Sequence, residues 1–182
     1  MGDAHIVKRS PTSNARLVYA QTALHKEYFE YVFNIFKEYC TKNYIEQSRT
    51  IKGKDNKIYS ATAFTTMQLP CLNEYRELFY QNNIKLIPDN IYNLLSPRSL
   101  AFWIMDDGSK HNQGLHISIY AFNNDDTDKL LYTLQDRYKL KCSLHFNRDN
   151  KPRIYIFKES MVTLREIVKP FFIEKMLYKL SL

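Results

Sequence analysis

Glycine, cysteine and tryptophan are scarce in this chain of 182 residues, and their scarcity removes whole classes of chemistry. Only four glycines occur, Gly2, Gly53, Gly108 and Gly114. Neither G-x-G-x-x-G nor G-x-x-x-x-G-K-[ST] can be written with them, so the phosphate-cradling loops of dinucleotide-binding and P-loop folds are absent. The three cysteines, Cys40, Cys71 and Cys142, lie far apart with no C-x-x-C spacing, which excludes a zinc ribbon or a thioredoxin-type centre. An odd count without a signal peptide points to reduced thiols that serve packing. The five histidines form no spaced metal set such as H-E-x-x-H. No uninterrupted apolar stretch approaches the roughly 20 residues of a membrane span, so no membrane partner is expected.

What the chain has is positive charge: 26 Lys plus Arg against 19 Asp plus Glu, a formal +7. Such a surplus attracts polyanions, with nucleic acid the leading class because phosphate neutralisation releases counterions. A soluble basic protein with no such partner satisfies the same balance. The chain also carries 14 Tyr and 11 Phe among abundant Lys, Ile and Asn, all encoded by A/T-rich codons. An A/T-rich genome, organellar genomes among them, is the simplest source, and no Arg- and Ser-rich transit segment suggests import.

Residues 26–40 place Phe29, Val32, Phe33, Phe36 and Cys40 on one helical stripe opposite Lys26, Glu27, Glu30 and Lys37. Residues 125–138 repeat the pattern, with Asp125 or Asp126 as N-cap candidates, and residues 160–169 do so before Pro170 interrupts. Strand character marks 15–22, 44–51, 57–66, 115–122, 141–146 and 153–157. Two turns, 52–57 and 147–153, are conspicuously basic: each is either a solvated hairpin loop or a grip on phosphate. Both halves follow one order of acidic turn, strand, helix, hairpin and helix. This suggests a pseudo-two-fold duplication, residues 1–88 and 89–182, with 83–96 as the connection.

Ser96-Pro97 reads as an N-cap followed by proline at the first helical position, and Gly108 as a left-handed stop, so a short helix is expected over 97–107. On it Leu100, Trp103, Ile104 and Asp107 share one face, whereas Asp106 is turned about 100° away. A carboxylate extending an apolar stripe at the negative end of a helix dipole is unfavourable twice over, and a bound cation relieves both penalties. Alternatively, the face opens to water there and Asp107 merely solvates the turn.

The segment Leu100-Ala101-Phe102-Trp103-Ile104-Met105-Asp106-Asp107-Gly108 resembles the second signature helix of the LAGLIDADG homing endonucleases, in their single-chain, two-motif branch. Gly2-Asp3-Ala4-His5-Ile6 resembles the end of the first. Tyr19-Ala20-Gln21-Thr22 leading into His25-Lys26-Glu27-Tyr28, then Lys85-Leu86-Ile87-Pro88, Ile167 to Phe172 and Met176 to Leu180 extend the resemblance over nearly the whole chain.

That resemblance implies an α+β fold of two αββαββα halves whose curved antiparallel sheets saddle double-stranded DNA. It implies a monomer, organelle-encoded and mitochondrial, that makes a metal-dependent staggered break at a long site during intron homing. Asp3 and Asp107 would bind Mg²⁺ beside the scissile phosphates. Lys85 and Lys179 match the family's active-site lysines, and Gln21 matches a polar residue near the catalytic centre. Recognition would come from strands and turns, with Arg16, Tyr19, Arg49, Tyr59, Lys110, His116, Lys141, His145, Arg148, Lys151 and Arg153 as the DNA-binding candidates. An RNA maturase that assists splicing of its group I intron, or a non-catalytic DNA-binding remnant, are the alternatives. Two departures stand out. The first signature helix is expected to be largely missing, since Met1 directly precedes Gly2-Asp3. Tyr120 stands where the second half often carries glutamine, which puts equal cutting of both strands in doubt.

Overall fold

The computed structural model describes residues 2–41, the backbone of 45–47, and 60–182. The basic turn 52–57 lies outside the described residues. The chain divides into two compact units, residues 3–78 and residues 79–182, the second of which also takes in Gly2. The contact boundary thus follows Leu78, while the repeat boundary drawn from sequence lies at 88/89.

The first unit contains β1 (His5–Val7), β2 (Arg16–Thr22), α1 (Lys26–Phe36), β3 (Ile45–Gln47), β4 (Ala61–Thr65) and most of α2 (Cys71–Phe79). Its strands form one antiparallel sheet in the order β1-β2-β4-β3. Alternation decides the faces: Leu17, Tyr19 and Gln21 are buried with Thr62 and Phe64, while Arg16, Val18, Ala20 and Thr22 point the other way. Onto the buried face α1 lays Tyr28, Phe29 and Val32. The rings interlock, with Tyr19 stacked on Phe29 at 5.9 Å and Phe64 edge-on to Phe29 at 5.8 Å and to Phe33 at 5.5 Å. The helical stripe read from sequence is the one that packs.

The second unit contains a small hairpin, β5 (Tyr80–Gln81) and β6 (Ile84–Lys85), then α3 (Ile91–Leu94), α4 (Pro97–Asp107), β7 (Gly108–His111), β8 (Gly114–Ser118), α5 (Asn124–Tyr132), β9 (Cys142–Phe146), β10 (Pro152–Ile156) and α6 (Met161–Val168). Its sheet order, β7-β8-β10-β9, reproduces that of the first unit, which is the expected duplication. Each sheet gains an edge strand, β1 or β7, where the sequence showed only an acidic turn. Both are short, and β7 (Gly-Ser-Lys-His) lacks the β-branched and aromatic residues that mark a strand.

Four local expectations are corrected. The segment 83–96 is not a bare connection: it forms β6 and α3 and buries Ile87, Ile91 and Leu95 completely or nearly so. The cap of α5 is Asn123, whose Oδ1 accepts from the Asp126 amide at 2.8 Å. This leaves both aspartates in the first turn, where the helix dipole favours them, and lets Asp126 accept from the Ile87 amide at 3.0 Å. Gly108 is extended (φ −78°, ψ 146°), not left-handed, because α4 runs straight into β7. A side chain there is excluded by proximity, since its Cβ would sit 2.5 Å from the Ile104 carbonyl oxygen. The strand read over 115–122 ends at Ser118, and residues 119–122 turn, the Phe122 amide bonding the Ile119 carbonyl at 3.1 Å.

The core of this unit is aliphatic. Leu115, Ile117, Ile154 and Ile156 from the sheet meet Leu100, Trp103 and Ile104 of α4, Leu130 of α5 and Leu164 of α6, all at most 1% exposed. Each such side chain contributes roughly 1.5–3 kcal/mol by leaving water. The face of α4 is wider than the predicted stripe, because Ala101 and Met105 are buried as well. Ser96 caps the helix as expected, accepting from the Ser99 amide at 3.2 Å.

Candidate active site and nucleic-acid interface

In the first unit the acidic turn is held by its own sheet. Gln21, 7% exposed on β2, donates its side-chain amide to an Asp3 carboxylate oxygen at 2.5 Å. Register explains the approach: β1 begins at His5, which pairs with Val18, so the chain before it passes the far end of β2. Arg76 of α2 ties the same edge down by donating to the Ile6 carbonyl at 3.0 Å.

In the second unit Asp107 closes α4, half-buried, and accepts the Gly2 backbone N–H at 3.1 Å. Glycine is favoured at position 2 because its φ is +71°, and a Cβ there would lie 2.1 Å from Oδ2 of Asp106, whose carboxylate would have to swing away. Lys85 on β6 donates to the Gly2 carbonyl at 3.0 Å, so Gly2 is gripped from both sides. Lys179 is 4% exposed, and its ammonium donates to the carbonyls of Ile104, Met105 and Asp106. A cation there satisfies the end of α4 and opposes the negative pole of the helix. The structure therefore gives both lysines backbone partners next to an acid.

The place of Gln21 is filled differently in the two units. Asp107 precedes Gly108, which pairs with Ile117, just as Ala4 after Asp3 aligns with Tyr19. Two residues on from Ile117 is Ile119, which therefore occupies the place of Gln21. Ile119 is 1% exposed and apolar. Tyr120, the residue expected there, lies beyond the strand and is exposed; its hydroxyl accepts from Arg153 Nε at 2.7 Å, with the Lys151 ammonium 5.4 Å over its ring.

The outer face of the second sheet, opposite its helices, gathers several of the nucleic-acid candidates. His116 on β8 lies across from Tyr155 on β10, and Arg153 lies across from His145 on β9. The rings form a continuous patch: His111 and His116 at 4.2 Å, His116 and Tyr155 at 5.0 Å, His145 stacked on Tyr155 at 4.8 Å. Burial pushes the His116 imidazole down from 6.5 to about 4, with the charges of His111, Arg153 and His145 acting in the same direction. It is therefore neutral at pH 7, and its Nε2 is buried without a hydrogen-bond partner among the described residues. His111 and Tyr155 were not singled out in the sequence; the alternation of Arg153, Tyr155 and Phe157 was the available signal. Among the described residues no group of three or more His, Cys, Asp or Glu is arranged to hold a metal.

Arg148 and Lys151 are exposed in the 147–151 turn, where Asn147 Oδ1 accepts from the amides of Asp149 and Lys151. Lys141 precedes β9, exposed, 3.6 Å from Glu159. Arg16 lies on the outer face of the first sheet. Tyr19 is placed instead in the aromatic core, 2% exposed. Lys110 pairs with the buried Leu115 and so points to the helix side of its sheet. Arg49 and Tyr59 lie outside the described residues.

Residues 1–164 match the model of the LAGLIDADG DNA endonuclease family. The chain belongs to that family. A probable intron-encoded endonuclease 1 from Wickerhamomyces canadensis is 30% identical across 99% of this chain and 79% of its own length. The cytochrome b mRNA maturase bI2 of Saccharomyces cerevisiae is 35% identical across the whole chain, which spans 45% of that relative's length. Among solved structures, the homing endonuclease I-WcaI bound to its DNA recognition sequence superposes with a TM-score of 0.89 at 26% identity, covering 98% of this chain and 80% of that one. The α+β architecture of duplicated antiparallel sheets and helices is thus that of the LAGLIDADG homing endonucleases.

Proposed function

We propose that the chain is a site-specific homing endonuclease that makes a metal-dependent staggered break in double-stranded DNA at a long recognition site. The observation that carries the reading is the restraint on its two acids: Asp3 is held by the buried amide of Gln21, and Asp107 by the N–H of Gly2. The likeness to I-WcaI, whose structure holds its DNA recognition sequence, supports the same partner here.

A divalent cation, Mg²⁺ by this reading, would be held by Asp3 and Asp107. The donor set fits: a carboxylate offers about four acceptor sites, so a single N–H does not exhaust it, and Mg²⁺ commonly takes one or two carboxylates with phosphate oxygens and water completing its shell. Such an ion supplies positive charge against the phosphate and makes water more acidic. The residues do the positioning: Gln21 and Gly2 fix the carboxylates, Lys85 fixes the backbone of Gly2, and buried Lys179 brings a positive charge to the end of α4. The outer-face residues Arg153, His116 and His145, with Arg148, Lys151 and Lys141 at the turns and Arg16 on the first sheet, engage the duplex. A monomer encoded in a mitochondrial intron fits the codon bias and the relatives named intron-encoded.

The full reading frame containing this chain, incubated with Mg²⁺ and a plasmid carrying its uninterrupted insertion locus, should linearise the plasmid at one position. Absence of cleavage with every divalent cation, despite binding, overturns the reading. The maturase bI2 relatives of Saccharomyces cerevisiae and Debaryomyces hansenii, 35% and 31% identical, favour a second reading in which the chain assists group I intron splicing. Splicing that survives Asp107→Asn would favour that role, because splicing assistance does not require the acid.

A further inference from the structure

Behind the second sheet, on the side its helices cover, a cavity of about 470 Å³ is lined by Lys110, Lys158, Arg165, Asn112, Gln113 and Ser181. Among the described residues three cations line it and no carboxylate does. Of the neighbouring acids, Glu159 lies 3.6 Å from Lys141 and also feels the charge of Lys158, and Glu166 lines the adjacent apolar groove together with Arg165. Arg165 is fixed by its Nε bond to the Leu180 carbonyl at 2.8 Å, which leaves its two terminal nitrogens without a protein partner among the described residues. Ser181 adds a buried hydroxyl that has no hydrogen-bond partner among the described residues. Its backbone is left-handed, φ 60°, at the end of the final helical turn.

Register separates this cavity from the outer face. Lys110 sits on β7 directly across from Leu115, which is wholly buried beneath the helices, whereas Ser109 and His111 on the same strand point outward. Lys158 and Arg165 come from the turn before α6 and from α6 itself. Concentrated positive charge, two side-chain amides and an unsatisfied hydroxyl suit an anion bearing several acceptor oxygens and flanking hydroxyls. The apolar edges of Met161 and Val162 suit a sugar or base beside it.

We propose that this cavity is a second nucleic-acid site, which binds a backbone phosphodiester on the side of the unit opposite its outer sheet face. It is independent of the nuclease reading, because neither Asp3 nor Asp107 takes part. A folded RNA and the flanks of a DNA duplex both carry phosphodiesters, and the two are separated by experiment.

The full chain and its Lys110→Gln/Lys158→Gln variant are titrated with a mixed-sequence RNA hairpin and, separately, a mixed-sequence DNA duplex across a salt series. Loss of two phosphate contacts should weaken at least one probe about tenfold and make the slope of log K against log salt shallower by about 1–2. A loss confined to the hairpin assigns the site to RNA, and a loss confined to the duplex assigns it to flanking DNA. Asn112→Asp, which adds a negative charge at a left-handed position that aspartate tolerates, should weaken the same probe with all three cations kept. Unchanged affinity and slope for both probes, or no measurable binding of either by the unaltered chain, overturns the proposal. Cleavage of the plasmid is read separately and does not depend on the outcome.

Discussion

Lowering the pH from 7 to 5 should destabilise this protein through His116, and replacing that residue by phenylalanine should abolish the effect. The imidazole is 7% exposed, walled by His111 on β7, Tyr155 and Arg153 on β10 and His145 on β9. Burial first, then those neighbouring charges, lowers it from 6.5 to about 4 in the folded chain. The unfolded chain therefore takes up its proton near pH 6.5 while the folded chain refuses it until about pH 4. Stability is complete above the unfolded value and is lost as pH falls between the two. At about 1.4 kcal/mol per unit, the loss is roughly 2 kcal/mol between pH 7 and pH 5. Urea denaturation followed by circular dichroism at both pH values, for the native chain and His116→Phe, isolates this contribution because all other groups are shared. With a slope of about 1–3 kcal/mol per molar urea, the native midpoint should drop by about 1 M more than that of the variant. Equal drops in both proteins would refute the assignment of a neutral, proton-refusing His116.

Other perturbations test separate parts of the account. Asn123→Ala removes the cap of α5 and should cost about 1 kcal/mol in urea denaturation. Ile154→Ala empties a fully buried site between sheet and helices and should cost about 2–5 kcal/mol. Gly2→Ala, strained by φ +71° and crowding the Asp106 carboxylate, should reduce cleavage at least about tenfold while shifting the urea midpoint little, because only the acidic turn is displaced. Lys179→Met removes the ammonium that donates to three carbonyls at the end of α4, of which Ile104 keeps only the Gly108 N–H, and should cost about 1–3 kcal/mol.

Much of this architecture is legible in the sequence because its helices and inner strands obey strong periodicities. The stripe through Phe29, Val32 and Phe33 predicts α1, and Ser96-Pro97 predicts the first turn of α4 to the residue. The edge strands are not legible, since β7 is polar and only its pairing with β8 makes it a strand. Nor is the role of Gly108, which depends on how close the Ile104 carbonyl comes, a tertiary fact that propensity does not encode. The acids themselves are visible through resemblance, but their restraint by Gln21 and by the Gly2 amide is not. The asymmetry between Gln21 and Ile119 emerges only from strand register, which moves the comparison from Tyr120 by one residue and from one face of the sheet to the other. The histidine patch is hidden for the same reason: His111, His116 and His145 are spread over three strands and meet only once the sheet is assembled.

The most direct test of the central claim is a paired measurement of binding and double-strand cleavage on the uninterrupted insertion locus for Asp3→Asn and Asp107→Asn. If these carboxylates hold the metal, each substitution should lower the cleavage rate at least about a hundredfold, about 2.7 kcal/mol in the barrier, while binding in the absence of metal changes by no more than about threefold. Cleavage at the native rate by either variant would contradict the account.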